Sequence, residues 1–134
     1  MFSLFSHCLT GARYQRTRFY AAFGLYAMIL ILGSVPHARA EIGEVAPGLV
    51  LHSVAYAVIT FLLASGSARS DRGRAVQAIL IAMVMGAVDE LVQSFFPYRT
   101  AAVSDWLVDC AAALVTAGIF FSLSRKPSMK SPMI

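Results

Sequence analysis

The sequence predicts an all-α protein, an integral membrane four-helix bundle with short connecting loops, formed by one domain over residues 1–134. Of its 134 residues, 58% are apolar and 13% are charged, which is about half the charged share of an ordinary soluble domain. A soluble fold of this length has too little interior to bury so much apolar surface, and a disordered chain needs low hydrophobicity. Soluble and disordered classes are therefore excluded.

Four apolar runs supply the helices. A helix that crosses a bilayer needs about 20 predominantly apolar residues, within a range of about 17 to 25. The runs cover about 19–35, 46–66, 75–97 and 103–124. Pro36, Pro47, Pro97 and Pro127 lie near their ends, where a proline does not interrupt helical hydrogen bonds.

The basic residues predict the orientation of the bundle. Nine of the 11 Lys and Arg residues lie in the N-terminal segment, in the loop between the second and third runs, and in the C-terminal segment. With four spans these three segments share one side, and Lys and Arg concentrate on the cytoplasmic side. Both termini are therefore expected in the cytoplasm. This pattern also accounts for the net charge of +4 without a nucleic-acid partner.

The first run allows a second interpretation. Basic residues, an apolar stretch and the sequence Ala38-Arg39-Ala40 resemble a secretory signal with its cleavage site. The apolar stretch is longer than the usual 7–15 residues of such signals, which favours a retained helix. Cleavage would leave three spans, with the orientation of the others unchanged.

Ionisable residues inside the spans indicate a functional site. Charges inside a bilayer are costly, and those that occur usually face the bundle interior and serve a function. His52, Glu90 and Asp109 each lie about 8–10 Å from the outer end of their run, at a rise of 1.5 Å per residue. Gln93, Arg99 and Asp105 are expected nearer to water.

Helical spacing places these residues on three stripes. Tyr56 lies one turn after His52, on the same face. Asp89 is about 100° around the helix from Glu90 and is therefore expected on the flank. The simplest packing turns the three stripes inward, to line one outward-facing polar cup. The other two stripes are Gly86, Glu90, Gln93 and Pro97, and Asp105, Asp109, Ala112 and Thr116.

These residues resemble the VanZ-like family of small bacterial membrane proteins over about residues 50–120. The resemblance rests on Glu90-x-x-Gln93-x-Phe95-x-Pro97-x-Arg99, on Asp105 after it, on His52-x-x-x-Tyr56 before it, and on Gly86. Two positions depart from the family pattern. Asp109 stands where the family usually has Asn, which adds a possible charge to the cup, and Ala112 stands where it usually has Gly.

The resemblance implies a bacterial cytoplasmic membrane protein linked to the cell envelope. The founding member of the family is associated with low-level resistance to the glycopeptide antibiotic teicoplanin. The partners it suggests are membrane lipids, a lipid-linked envelope precursor or a glycopeptide. A homo-oligomer is also compatible with it.

The candidate catalytic residues are Glu90, His52, Asp105 and Asp109. Glu90 suits a general acid or base, and His52 a proton carrier, because its pKa is ordinarily near neutrality. Structural roles are open for each: His52 could bond Tyr56 or a carboxylate, and Glu90 could pair with Arg99 or Gln93. Asp105 begins the fourth run, where the helix dipole favours a carboxylate in any case.

The candidate substrate-binding residues are Arg99, Gln93 and Tyr56. The Arg99 guanidinium could clamp a phosphate or carboxylate, although a loop arginine that snorkels to the interface is an alternative. Trp106 and Tyr98 are expected as interface anchors.

Three functions are compatible with the cup. The first is an enzyme that acts at the outer leaflet, the second a binding protein without chemistry, and the third a small transporter or proton-coupled subunit. The apolar cytoplasmic halves of the helices count against the third. The carboxylates and His52 come from three helices without a short ligand motif such as H-E-x-x-H. Neither a metal nor another cofactor is therefore predicted.

Overall fold

Four α-helices form the protein in a computed structural model that describes residues 12–36, 47–99 and 101–124. They are α1 (Gln15–Ser34), α2 (Gly48–Gly66), α3 (Asp71–Gln93) and α4 (Val103–Ser124), and a short 3₁₀ turn over Ala12–Tyr14 precedes α1. The four helices are long and apolar enough to cross a membrane. The predicted all-α fold class with four spanning helices is confirmed.

The third predicted run differs most from its helix. α3 begins at Asp71 instead of Ala75 because Ser70 caps it, with its hydroxyl accepting a hydrogen bond from the Gly73 N–H. A carboxylate in the first turn, here Asp71, also suits the positive end of the helix dipole. α3 ends at Gln93, four residues before Pro97, and tighter i to i+3 hydrogen bonds close the turn that follows. The fourth run, 103–124, coincides with α4.

α2 is the central helix and supplies the largest fully buried side chains. Tyr56, Ile59 and Leu63, at helical spacings of three and four, are each at most 1% exposed. α4 packs against α2 and α3, while α1 packs mainly against α2. Buried alanines such as Ala82 and Ala113 keep side chains short at these contacts, as in membrane helix packing.

The outer surface of the bundle is apolar. Leu80, Val84 and Ile119 are more than half exposed. In a bilayer such side chains contact lipid, and the helices satisfy their own backbone hydrogen bonds. The exposed apolar surface therefore fits a multi-pass membrane protein.

α1 is joined to the bundle by polar contacts as well as by packing. The Tyr26 hydroxyl donates to the Met85 carbonyl of α3 at 2.9 Å, and Arg18 donates to the Ser65 carbonyl of α2 at 2.9 Å. Arg18 is only 8% exposed, so one of the nine orienting basic residues belongs to a helix interface. The Ala38-Arg39-Ala40 stretch lies outside the described residues.

Candidate functional site

A histidine–aspartate pair joins α2 to α4. His52 Nδ1 lies 3.0 Å from Asp109 Oδ1. Asp109 has no exposed surface, whereas the His52 side chain is 14% exposed. Of the bonding partners expected for His52, the structure therefore selects the carboxylate. Tyr56 stacks on His52 instead, with ring planes 1° apart and ring centres at 6.3 Å.

Gly86 allows α4 to approach α3 at the level of this pair. A Cβ atom at position 86 would lie 3.0 Å from Asp109 Oδ2 and 3.1 Å from Trp106 Cδ1. The Trp106 indole donates to the Met83 carbonyl of α3 at 3.0 Å. Trp106 therefore joins α4 to α3 through a hydrogen bond. The sequence predicted Trp106 only as an anchor at the membrane interface.

Glu90 faces the start of α4. Its Oε2 accepts a hydrogen bond from the Ala102 N–H at 2.7 Å, just before the first residue of that helix. Its Oε1 is buried and has no hydrogen-bond partner within the described residues. Oε2 of Glu90 therefore accepts a hydrogen bond at the N-terminal end of α4, whereas Oε1 is available to a further hydrogen-bond donor or a cation.

The structure brings three of the four candidate catalytic residues together. One ligand atom each from His52, Glu90 and Asp109 lie within 4.8 Å of one another; these three residues are called the ionisable cluster below. Asp105 is not part of it. Asp105 lies one turn nearer the start of α4, half-buried, with Oδ1 accepting a hydrogen bond from Ser104 at 3.4 Å.

A cavity of about 180 Å³ lies beside the ionisable cluster. α1, α2, α3 and the segment after α3 supply its walls, whereas the expected cup was lined by α2, α3 and α4. His52 belongs to both the cavity and the cluster. The apolar walls include Ile29, Leu30, Leu51, Val92 and Phe96, and the polar residues are Ser34, His52, Tyr56, Asp89, Gln93 and Arg99.

Asp89 was expected on the flank of its helix, and this prediction was wrong. Asp89 is 5% exposed, lines the cavity, and lies one turn before Gln93, which is also 5% exposed. The buried face of α3 follows Ala82, Met85, Asp89 and Gln93, so Glu90 occupies the side toward α4. Ala82 and Met85 precede Asp89 at helical spacings of three and four residues. This row of small and apolar residues was the sequence signal that could have identified the buried face of α3.

Arg99 connects the cavity to the end of α1. Its Nε donates to Gln93 Oε1 and its Nη1 to the Gly33 carbonyl, both at 3.2 Å. A cation beside the last carbonyls of a helix is favoured by the helix dipole. The Tyr98 hydroxyl donates to the Ser34 carbonyl, so Tyr98 also holds α1. Arg99, Gln93 and Tyr56, the candidate substrate-binding residues, all line the cavity.

The Tyr56 hydroxyl has no hydrogen-bond partner within the described residues, although Tyr56 is 1% exposed. Buried hydroxyls are usually paired, because an unpaired one loses its hydrogen bonds to water. Tyr56 therefore provides an unused polar atom on a residue that lines the cavity.

Comparison with known proteins identifies the family. The family model described as VanZ/LLP1 matches residues 17–124, which is well over half of the chain and includes α1. The resemblance predicted from residues 50–120 is thereby confirmed and extended by one helix. No curated protein and no solved structure matches the chain.

Proposed function

The chain belongs to the VanZ/LLP1 family, and on that premise we propose that it acts in the bacterial cytoplasmic membrane on an anionic amphiphile of the cell envelope. The amphiphile class is a lipid-linked precursor whose head group carries a phosphate or carboxylate. The observation that carries this proposal is the His52–Asp109 pair at 3.0 Å, with His52 in the wall of a largely apolar cavity.

The proposed orientation of the bundle in the membrane follows from the distribution of its basic residues. The end of the bundle that holds His52, Gln93 and Arg99 is opposite the end that holds Arg69, Arg72 and Arg74. Lys and Arg favour the cytoplasmic side. The cavity therefore opens toward the outer leaflet, where envelope precursors are used.

The cavity suits an amphiphile because it combines two kinds of surface. Apolar side chains such as Leu51 and Phe96 can contact a hydrocarbon chain, and the Arg99 guanidinium can bind a phosphate or carboxylate with two parallel hydrogen bonds. Arg99 already uses Nε and Nη1 on neutral oxygens. A charged head group is a stronger acceptor than either of these oxygens.

Proton transfer is assigned to His52. An aspartate bonded to one ring nitrogen fixes the tautomer and orientation of the imidazole and stabilises its protonated form. With Asp109 at Nδ1, Nε2 is left to exchange a proton with a bound head group or water. Asp109 is a positioning residue in this scheme.

Binding without chemistry is the second candidate, and one observation favours it. Glu90 Oε2 already accepts the Ala102 N–H at the start of α4, which is a structural task. A site built for binding alone needs Arg99 and the apolar walls but no proton transfer by His52.

Full-length protein in lipid nanodiscs, probed with a polyprenyl phosphate, tests the proposal. We expect Arg99→Gln to weaken binding at least about tenfold, since a hydrogen bond to a charged group contributes about 1.5–3 kcal/mol. The control is Arg72→Gln, an exposed arginine at the opposite end, which should bind as the wild type does.

The same samples separate the two candidates. If His52→Gln binds the probe but abolishes a product seen by mass spectrometry of lipid extracts, the protein is an enzyme. Binding by wild type and His52→Gln alike, without product, identifies a binding protein. Equal binding by wild type, Arg99→Gln and Arg72→Gln would refute the proposed site.

A further inference from the structure

We propose that the ionisable cluster His52, Glu90 and Asp109 binds a divalent transition-metal cation of the zinc or manganese class. One ligand atom from each residue lies within 4.8 Å of the other two. Ligands bound at about 2.0–2.2 Å in a tetrahedral site are about 3.5 Å apart, so no pair of these atoms has to close by more than about 1.3 Å.

Unpaired oxygens in the cluster give an independent reason for a cation. Asp109 is fully buried, and its Oδ2 has no hydrogen-bond partner within the described residues. Glu90 Oε1 is buried and unpartnered in the same way. Leaving such acceptors unsatisfied is costly, and a carboxylate inside a membrane is costly in itself. A bound cation satisfies both oxygens and offsets their charge.

Gly86 keeps space beside one of these oxygens. A Cβ atom at position 86 would lie 3.0 Å from Asp109 Oδ2, which is closer than ordinary packing allows. The glycine therefore leaves Oδ2 beside bare backbone of α3, the helix that also carries Glu90 one turn later. The space belongs to the same contact between α3 and α4 as the two unpaired oxygens.

The donor set selects the class of cation. One imidazole and two carboxylates suit Zn²⁺ or Mn²⁺, whereas Ca²⁺ takes six to eight oxygens. Three protein ligands leave a coordination position open, as in catalytic zinc sites. No short sequence motif predicts such a site, because its ligands come from three different helices, α2, α3 and α4.

With the cation bound, His52 is a ligand and no longer a proton carrier, and the cation itself contacts the head group. Its use toward an anionic head group rests on the proposed function. A head-group oxygen could take the open position and meet Arg99 from the other side of the cavity. Cation binding itself requires only the three ligands. The two proposals can therefore fail separately.

Metal content of the purified protein tests the site. Full-length protein, carrying an affinity tag without histidine, is stripped with a chelator, loaded with Zn²⁺ or Mn²⁺, dialysed, and measured by inductively coupled plasma mass spectrometry. We expect about one ion per chain, and weaker binding by at least about tenfold in Glu90→Gln, Asp109→Asn and His52→Gln.

Two controls define specificity. Asp105→Asn removes a carboxylate from the same helix outside the cluster, and Cys110→Ser removes the buried free thiol next to Asp109. Both should keep the ion. Size-exclusion profiles and helical circular dichroism identify variants that fail to fold, and the loss of the ion is judged on the ligand variants that keep the wild-type profiles.

The outcomes are distinct. Wild-type protein that retains neither metal after dialysis, or variants that retain as much as wild type, would overturn the cation site. Loss of the ion in Asp105→Asn to the same extent would also overturn it. An intact metal content together with unchanged polyprenyl phosphate binding in Arg99→Gln would leave the cation site standing and refute the proposed function.

Discussion

His52 on α2 and Asp109 on α4 lie 3.0 Å apart, Nδ1 to Oδ1, in the interior of a bundle whose outer surface is apolar. The two residues are 57 positions apart in the chain. Their contact therefore depends on α2 and α4 packing directly against each other. The contact links His52, which lines the cavity, to Asp109, which has the most deeply buried carboxylate among the described residues.

Replacing Asp109 with leucine should destabilise the protein by about 1–3 kcal/mol, because His52 would lose its partner and remain largely buried. Asn keeps an oxygen acceptor for His52, so Asp109→Asn should cost clearly less. Thermal unfolding in detergent, followed by circular dichroism, measures both. Equal losses in the two variants would show that the hydrogen bond to His52 does not stabilise the fold.

Gly86→Ala should destabilise the contact between α3 and α4. Its new Cβ would meet Asp109 Oδ2 at 3.0 Å and Trp106 Cδ1 at 3.1 Å, and overpacking of this kind typically costs about 1–3 kcal/mol. The matched control is Gly24→Ala, where a Cβ would meet nothing within 4 Å. That change should be neutral, or stabilising by up to about 1 kcal/mol through helix propensity. A melting temperature as low for the control as for Gly86→Ala would contradict this explanation.

Lysine should not replace Arg99. The guanidinium donates through two nitrogens, to Gln93 and to the Gly33 carbonyl, and an ammonium cannot reproduce this planar arrangement. Arg99→Lys should keep the positive charge but lose polyprenyl phosphate binding by about tenfold, or about 1.4 kcal/mol. Titration in nanodiscs measures the change. Wild-type affinity in the lysine variant would mean that charge alone is recognised.

Single cysteines should report opposite sides of the membrane. Ala68, between α2 and α3, and Ala101, before α4, are both exposed and lie at opposite ends of the bundle. In a variant without Cys8 and Cys110, a membrane-impermeant maleimide applied to intact spheroplasts should label Ala101→Cys but not Ala68→Cys. Permeabilised cells should label both. The reverse pattern would invert the orientation expected from the basic residues.

The regular features of the fold could be predicted from the sequence. The length of apolar runs defines spanning helices, and the run at 103–124 coincides with α4. The common depth of His52, Glu90 and Asp109 follows from rise per residue alone, and the structure places these three residues together. Such properties depend on position along one helix and need no knowledge of its neighbours.

Rotation of the helices and the partners of each face could not be predicted in the same way. Asp89 and Glu90 are adjacent, and only the packing of α3 decides that Asp89 faces the cavity and Glu90 faces α4. α1 contributes a cavity wall through Ile29, Leu30 and the Gly33 backbone. Apolar residues and backbone carbonyls carry no motif, so this wall had no sequence signal.

The hydrogen bond from Arg99 to the Gly33 carbonyl has a thermodynamic consequence. An anion that draws Nη1 away from Gly33 removes one of the contacts that hold the last turn of α1. Binding of an anion in the cavity and packing of α1 against the bundle are therefore linked equilibria. Linkage of this kind is reciprocal. Substitutions that loosen α1, even at the Tyr26–Met85 contact far along the helix, should then alter ligand affinity without touching the ligand.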